Sequence, residues 1–436
     1  MTSADLEQNF PDLHPAFTRQ EALIEAERCL YCYDAPCAGA CPTHIDVPRF
    51  IKKIATGNLR GSAVTILDAN ILGASCARVC PVEVLCEGAC VMHRHSRSPI
   101  AIARLQRFAT ETFPGDLPAL SHTDKPLRVV CIGAGPASLA CAAELARRGH
   151  KPVILEARPL AGGLNTYGVA EYKLRARASL EEVKFIESLG VEIRSGEAVD
   201  AVRIQQLAEE YDAIFLGLGL GHMEPLGIPG EDATGVVDAL RFIADYKTNG
   251  RNHVVPNPVA KSVVVIGAGN TAIDAASAAR RLGADEVIML YRRTDRQMSA
   301  FSFEYEHAKR ERVEFRWMAR PLRILTENNA VVGLECVRVT PSLETVEGSE
   351  YVIPCDLVIP AIGQTRSLEI LSRIEGIESD RGLLTVDRAT GRTGNPKFYA
   401  GGDIVNGGRE VVDAVADGKR AALGIIAAHT SEAHHA

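Results

Sequence analysis

Long apolar runs are missing from this sequence. Nothing in it approaches the roughly 18 consecutive apolar residues of a membrane-spanning helix, so no membrane partner is expected. An excess of basic charge is missing too: Lys and Arg number 48 against 55 Asp and Glu, a formal net charge of −7. Without a basic face there is little to neutralise phosphates, and no nucleic-acid partner is expected. The opening Met1-Thr-Ser-Ala-Asp-Leu-Glu-Gln8 lacks the basic-then-apolar build of a secretory signal, which makes the cytoplasm the expected compartment. The rest of the composition is that of an ordinary globular chain, 46% hydrophobic and 24% charged. Its 436 residues suffice for two or three domains with cores of their own.

The twelve cysteines are spread unevenly. Cys131, Cys141, Cys336 and Cys355 stand singly among apolar neighbours and read as small buried residues. The other eight crowd between Cys29 and Cys90. In a cytosolic chain such crowding points to metal binding rather than to disulfides. Cys29-x2-Cys32-x4-Cys37-x3-Cys41-Pro42 is close to the ferredoxin run, in which the Cys before Pro serves a second cluster. Cys76, Cys80-Pro81, Cys86 and Cys90 follow. Zinc usually takes two C-x2-C knuckles, and only Cys29 and Cys32 make one. Soft thiolates in this number predict two 4Fe–4S clusters, and a count of eight thiolates recruits Cys76. His93 and His95, beside Cys90, read as exposed histidines rather than ligands.

Helical signals dominate up to about residue 110. Good helix formers at 3.6-type spacing run from Arg19 to Arg28, a Pro48-led segment ends at Gly57, and another helix begins near Ile100. Residues 114–126 read as a Pro- and Gly-bearing linker. Thereafter the texture becomes strand–glycine turn–helix. Leu127–Ile132 leads into Gly133-Ala-Gly135-Pro136-Ala137-Ser138, a helix and Val153–Glu156. The same order recurs at Ser262–Ile266, Gly267-Ala-Gly269-Asn270-Thr271-Ala272, a helix and Glu286–Tyr291. In such turns the first glycine allows the bend, the second lets a pyrophosphate approach the backbone, and a small third residue lets helix pack on strand. The helix N-terminus then faces the phosphates with unpaired N–H groups.

The two units part company at the ends of their second strands. Glu156 is placed to accept from a ribose hydroxyl, as suits FAD, whereas the second unit ends in Tyr291-Arg292-Arg293. Arginines there would pair with a 2′-phosphate and favour NADP(H); as mere caps of an exposed strand end they would leave NAD(H) open. Ala161-Gly-Gly163-Leu164 supplies a second glycine pair where backbone must pass close to a ligand. Near the C-terminus Phe398-Tyr-Ala-Gly-Gly402-Asp403 reads as a strand ending at a flavin, with Asp403 toward its hydroxyls and a helix N-terminus toward its ring. Tyr211–Gly221 and Val358–Gln364 read as crossovers between the nucleotide domains. The expected fold is thus α/β: a helical double 4Fe–4S domain (1–125), then two Rossmann-like domains. The NAD(P) domain (222–365) is inserted between the two parts of the FAD domain (126–221 and 366–436).

These pieces resemble the flavin-bearing small subunit of bacterial NAD-dependent dihydropyrimidine dehydrogenase. They equally resemble the N-terminal half of the long single-chain enzyme and, more distantly, the glutamate synthase small chain. The segments that carry the likeness are Cys29-Leu-Tyr-Cys-Tyr-Asp-Ala-Pro-Cys-Ala-Gly-Ala-Cys-Pro-Thr43, Cys76-Ala-Arg-Val-Cys-Pro81 with Leu85-Cys-Glu-Gly-Ala-Cys90, and Leu105-Gln-Arg-Phe-Ala-Thr110. Five residues separate Cys80 from Cys86, as in the dihydropyrimidine dehydrogenases, where the glutamate synthase pattern has three. The resemblance implies one cluster on Cys29, Cys32, Cys37 and Cys90. It implies another on Cys41, Cys80, Cys86 and the side-chain oxygen of Gln106, which leaves Cys76 a bystander.

The expected chemistry is oxidation of NAD(P)H by FAD and release of single electrons through the clusters to another chain. Hydride transfer to a flavin asks for proximity, so no acid or base is assigned. The two nucleotide domains and the helical domain use up the length and leave no barrel for a pyrimidine. By resemblance, the partner would be an FMN- and 4Fe–4S-containing catalytic subunit in a heterotetramer that reduces uracil or thymine. The alternatives are a partner of the glutamate synthase or ferredoxin-linked kind, a non-catalytic redox sensor, and a zinc-stapled binding module.

Overall fold

The structure is a computed structural model, describing residues 8–95, 97–113, 115–248, 261–366, 368–371 and 374–432. The opening Met1–Glu7 and Pro114 of the expected linker lie outside them. Two compact units result. One comprises residues 13–165, 177–220 and Arg366 onward; the other, residues up to Asp12, 166–176 and 221–365.

The first unit begins with five helices of seven residues or more, besides a single turn at Pro36–Gly39. Helix α1 (Arg19–Glu27) opens on a reciprocal cap: the Thr18 hydroxyl accepts the Glu21 N–H, while the Glu21 carboxylate accepts the Thr18 N–H at 2.8 Å. Helix α2 (Val47–Ala55) is capped by Asp46, has Pro48 in its first turn, and buries Val47, Phe50, Ile51 and Ile54 along one stripe. Each such side chain contributes about 1.5–3 kcal/mol on burial. Gly57, at φ +78°, follows it. Helices α3 (Leu59–Ala69), α4 (Gly73–Val79) and α5 (Ile102–Glu111) complete the group, and their core includes Ile66, Ile100, Leu105 and Ala109.

The chain then alternates β1 (Arg128–Ile132), α6 (Pro136–Arg147), β2 (Lys151–Glu156), α7 (Ala176–Ser188), β3 (Glu192–Ser195) and β4 (Ala213–Leu216). The second unit follows with β5 (Ser262–Ile266), α8 (Asn270–Arg281), β6 (Glu286–Tyr291), α9 (Ser302–Arg310) and β7 (Glu314–Trp317). It continues through an antiparallel trio, β8 (Ala319–Glu327), β9 (Ala330–Arg338) and β10 (Tyr351–Pro354), to β11 (Leu357–Pro360). The return to the first unit brings β12 (Ser379–Asp380), β13 (Leu383–Leu384), β14 (Phe398–Ala400), α10 (Asp403–Asn406) and α11 (Val411–Glu432).

Both main sheets are parallel. The first has the order β14-β4-β1-β2-β3, with Val130 level with Val153 and Ile214; the second runs β11-β5-β6-β7. Their central strands are buried on both faces, which is why the sequence shows continuous apolar runs instead of alternation. The late strand β14 pairs with β4, so the first sheet draws on both ends of the chain.

Within the first unit the helical group is tied to the sheet's helices by buried polar contacts. Arg147 on α6 pairs with Asp68 on α3 at 2.6 Å. Lys419 on α11 donates to the Asp68 carbonyl. Glu182 on α7 accepts the N–H groups of Ala74 and Ser75 at the start of α4, and the Ser75 hydroxyl as well. Burial pushes the Glu182 carboxyl up to about 7 despite these donors.

Candidate functional site

The helical group encloses two separate thiol-lined cavities. Cys29, Cys32, Cys37 and Cys90 face the first, walled by Val47, Ile51, Ile100 and Ile102. Cys41, Cys80 and Cys86 face the second, together with Cys76 and Gln106. The first measures about 20 Å³ and the second about 30 Å³. Burial raises the Cys29 thiol above its ordinary range and the Cys37 thiol to about 11. Cys86 is held higher still by burial, and Cys80 by a hydrogen bond with Cys76 before burial. Burial holds these thiols protonated, and bound iron would displace the protons and take them as thiolates. Among the described residues no three His, Cys, Asp or Glu side chains converge on one ion-sized point. A cubane asks for thiolates at separate corners, and each cavity supplies several thiols on its walls.

Two details separate Cys76 from Gln106 in the second cavity. The Cys76 sulfur takes a hydrogen bond from the Asn70 amide at 3.2 Å. The Gln106 amide nitrogen donates to the Gly73 carbonyl at 2.7 Å. That turns its Oε1, which makes no hydrogen bond among the described residues, away from the helix α4 carbonyl. The cavity thus offers four thiols, Cys76 among them, and the amide oxygen of Gln106. The cavity is also lined by Val412, in the first turn of α11. His93 and His95 lie exposed in a 3-10 turn, Val91–His95, away from this ligation.

At the first glycine turn, Gly133 adopts φ +89°, and a Cβ there would sit 2.6 Å from the Gly217 carbonyl oxygen. Gly135 is different: its Cβ position meets nothing within 4 Å, so backbone lies open at the N-terminus of α6. Pro136 occupies the first helical position, where a missing N–H costs nothing. Gly163, at φ +55°, lies against this loop, its Cβ position 2.7 Å from the Gly135 Cα, and Leu164 starts the next turn of helix. Gly402 closes the other side, its Cβ position 3.1 Å from that of Ala137. The Ser138 hydroxyl is buried beneath Gly217 and lacks a hydrogen-bond partner. The Glu156 carboxylate accepts the Ala134 N–H at 2.7 Å and the Arg158 N–H at 2.8 Å, which leaves further lone pairs for a ribose. Burial raises the Asp403 carboxyl, partly offset by the Arg409 N–H.

At the second turn Gly267, at φ +140°, would put a Cβ 2.2 Å from the Ala361 carbonyl oxygen. Gly269 caps α8 without a side chain; Asn270 and Thr271 begin the helix, and Asn270 accepts the Phe301 N–H at 3.1 Å. Arg292 and Arg293 are exposed, and among the described residues no carboxylate pairs with either. Behind α8 lies a buried ionic group. The Lys173 ammonium sits 2.6 Å from Asp274 and 2.5 Å from Glu304, and Tyr172 donates to Asp274 at 3.1 Å. Burial opposes the Lys173 charge, but the two carboxylates outweigh it and hold the amine above its usual value.

Several residues that shape these sites escape a reading of the sequence. Asp417 accepts the Gly402 N–H at 3.0 Å and the Asn406 amide at 3.3 Å, holding the start of α10. Glu182 and Gly217 act across long separations, which no local pattern flags, while Asn70 works locally, on Leu72 and Cys76.

Two parallel-sheet units with glycine turns, preceded by a helical group with two thiol cavities, define an iron–sulfur flavoprotein oxidoreductase that uses a nicotinamide nucleotide. Residues 6–116 match the family model described as dihydropyrimidine dehydrogenase domain II, 4Fe-4S cluster, and residues 127–418 match pyridine nucleotide-disulphide oxidoreductase. The chain is 34% identical to the glutamate synthase [NADPH] small chain of Escherichia coli K12, over 96% of this chain and 93% of that one. It is 35% identical to the NADP(+)-dependent formate dehydrogenase subunit beta of Moorella thermoacetica, over 90% of this chain and 59% of that one. Among solved structures, FprA of Mycobacterium tuberculosis in complex with NADPH shares the fold with a TM-score of 0.57 at 21% identity, over 71% of this chain and 86% of that one. The chain belongs to the pyridine nucleotide-disulphide oxidoreductase family, in the superfamily of the glutamate synthase small chain. Its cofactors are FAD, 4Fe–4S clusters and a nicotinamide nucleotide. Among the described residues no helix is long and apolar enough to cross a membrane.

Proposed function

We propose that this chain is the electron-input subunit of a glutamate-synthase-type reductase, oxidising NADPH and delivering single electrons to a catalytic partner. The observation that carries it is the lining of the second thiol cavity by Val412, at the head of the helix that follows Gly402 and Asp403. This supports a cluster beside the flavin, both within one compact unit. Bound FAD supplies the conversion of a two-electron donor into one-electron steps. The residues proposed to hold it are Gly133, Gly135, Pro136, Ala137 and Ser138 on the first turn, Glu156 at the ribose, and Gly163, Leu164, Gly402 and Asp403 around the remainder. Gly267, Gly269, Asn270 and Thr271 would hold the nicotinamide dinucleotide, with Arg292 and Arg293 on its 2′-phosphate. Cys29, Cys32, Cys37 and Cys90 would ligate one cluster, and Cys41, Cys80, Cys86 and Gln106 the other. The domain limits 1–125, 126–221, 222–365 and 366–436 belong to the same reading, as does cytoplasmic placement.

The partner would carry FMN, further 4Fe–4S iron and the substrate site, the two chains forming a heterotetramer. A second reading, reduction of uracil or thymine, draws support from the five residues between Cys80 and Cys86 and from the description of the 6–116 match. The test is purification with the companion chain, followed by NADPH-driven turnover. Glutamate formed from glutamine and 2-oxoglutarate supports the first reading, dihydrouracil the second. Absence of NAD(P)H-driven dye reduction by the iron-loaded protein would overturn both.

A further inference from the structure

The first thiol cavity has an outer face. Cys32 and Pro48 wall it on one side and on the other line an open cleft, together with Tyr31, Tyr33, His44, Asp46, Arg49 and Lys52. Tyr33 is 101% exposed, and Leu30, which also lines the cavity, is 54% exposed. Side chains of this kind add nothing to the fold from such positions but suit a protein contact. Arg49 and Lys52 stand exposed on α2, and no carboxylate pairs with either among the described residues. The Lys52 ammonium lies 4.6 Å from the centre of the Tyr31 ring. Asp46 is committed to capping α2 through the Arg49 N–H. Among the residues lining the cleft, Arg49 and Lys52 outnumber Asp46, which keeps its charge while capping α2, so the cleft is net positive on a chain whose formal charge is −7. Tyr31 and His44 both hold φ +52°, a left-handed conformation that non-glycine residues keep only where the surroundings impose it.

We propose that this cleft is the docking surface for an electron-transfer protein whose own redox centre is rimmed by Asp and Glu. The proposal rests on the reading of the Cys29, Cys32, Cys37 and Cys90 cavity as a cluster site. Electron transfer weakens steeply with distance, so the exit belongs at a cysteine that borders both cavity and cleft; Cys29, Cys32 and Cys37 are all partly exposed, and of these Cys32 lines the cleft. One electron leaves this chain and one enters the acceptor's oxidised centre; no atom moves with it. The probe is an acidic plant-type 2Fe–2S ferredoxin, titrated by calorimetry into the iron-loaded, FAD-loaded full chain. The protein is compared as wild type, with Arg49→Glu plus Lys52→Glu, and with Arg49→Gln plus Lys52→Gln. The wild type is expected to bind at low salt and to weaken as salt rises. Charge reversal should lower affinity about tenfold or more, and neutralisation by less, because rim charges act mainly through encounter. NADPH-driven ferricyanide reduction should be equal in all three. No binding by the wild type at low salt, or equal affinity in all three, overturns the surface. If charge reversal loses iron, the neutral pair decides. If affinities follow the charges but no variant reduces ferricyanide, the electron-input reading fails and the docking surface stands.

Discussion

The two glycine turns are near copies in backbone and opposites in what surrounds them. Gly133 and Gly267 both need positive φ, and both would drive a Cβ into a carbonyl oxygen of a crossing segment. Aligned on these glycines, Ala140 of α6 falls opposite Asp274 of α8. The first helix is packed by small apolar residues, the second around a lysine held between two carboxylates. The strand ends differ as well: Glu156 is held by two backbone N–H groups, while Arg292 and Arg293 stand free of carboxylates among the described residues. On the proposed reading, the shared backbone would answer a shared pyrophosphate and the differing side chains differing riboses. It also teaches that equal turns need not be equally supported: a buried lysine between two carboxylates backs α8, while the buried charges of α6, Glu144 and Arg147, lie toward its far end.

The largest expected effect tests that support. Lys173→Met leaves Asp274 and Glu304 buried without their cation, which should cost about 3–5 kcal/mol. Denaturant unfolding should show the loss, with nicotinamide binding weakened and FAD retained. Adding Asp274→Asn and Glu304→Gln should recover part of it; an unchanged midpoint in the single variant would show that the ion group is not a support.

The strand ends come next. Arg292→Gln with Arg293→Gln should lower kcat/KM for NADPH and leave NADH untouched. A charge-assisted bond is worth about 1.5–3 kcal/mol, enough to read in initial rates. If the parent already prefers NADH, the arginines are surface groups and the two strand ends do not encode the difference.

Within the first turn, the two glycines should separate stability from binding. Gly133→Ala forces a side chain into a conformation and a carbonyl that exclude it, at about 1–3 kcal/mol. Gly135→Ala has open space and should leave the melting temperature of the flavin-free protein unchanged, yet lower FAD retained after dialysis. Equal melting losses in both variants would mean that Gly135 serves the fold rather than the ligand.

The smallest effect on stability is the sharpest on assignment, and it extends the comparison to the two thiol cavities. Cys76→Ser should keep the parent's iron content, whereas Gln106→Ala should disturb the paramagnetic signal of one cluster. Gln106→Cys should keep that cluster and lower its potential, since a thiolate adds negative charge. Lost iron in Cys76→Ser, with a silent Gln106→Ala, would give the fourth position to the thiolate.

Much of this was legible from local pattern. The helices near Arg19, Pro48 and Ile100 announce themselves by caps and spacing, and they form at Arg19–Glu27, Val47–Ala55 and Ile102–Glu111. The strand–glycine–helix order announces two parallel sheets, because the turn chemistry and the apolar runs lie within a few residues of each other. The cysteine spacing announces cluster chemistry, but not which thiol shares which cavity. That sorting depends on the turns between helices, which bring Cys90 back to Cys29 and set Cys41 beside Cys80 and Cys86.

What the chain order could not reveal was decided by burial. Residues 166–176 read as part of the flavin domain, yet they group with the other compact unit, where Lys173 satisfies two buried carboxylates and the Lys247 amine donates to the carbonyls of Val169 and Leu174. Burial drops the Lys247 amine to about 8, which shows how dry the place is. Glu182 likewise belongs in sequence to a nucleotide-domain helix and in space to the start of α4. Sequence pattern determined the types of element and the chemistry they carry, because periodicity, caps and ligand spacing are local. Only the tertiary structure decided which charges meet, because a buried charge is tolerable solely where a distant part of the chain supplies its partner.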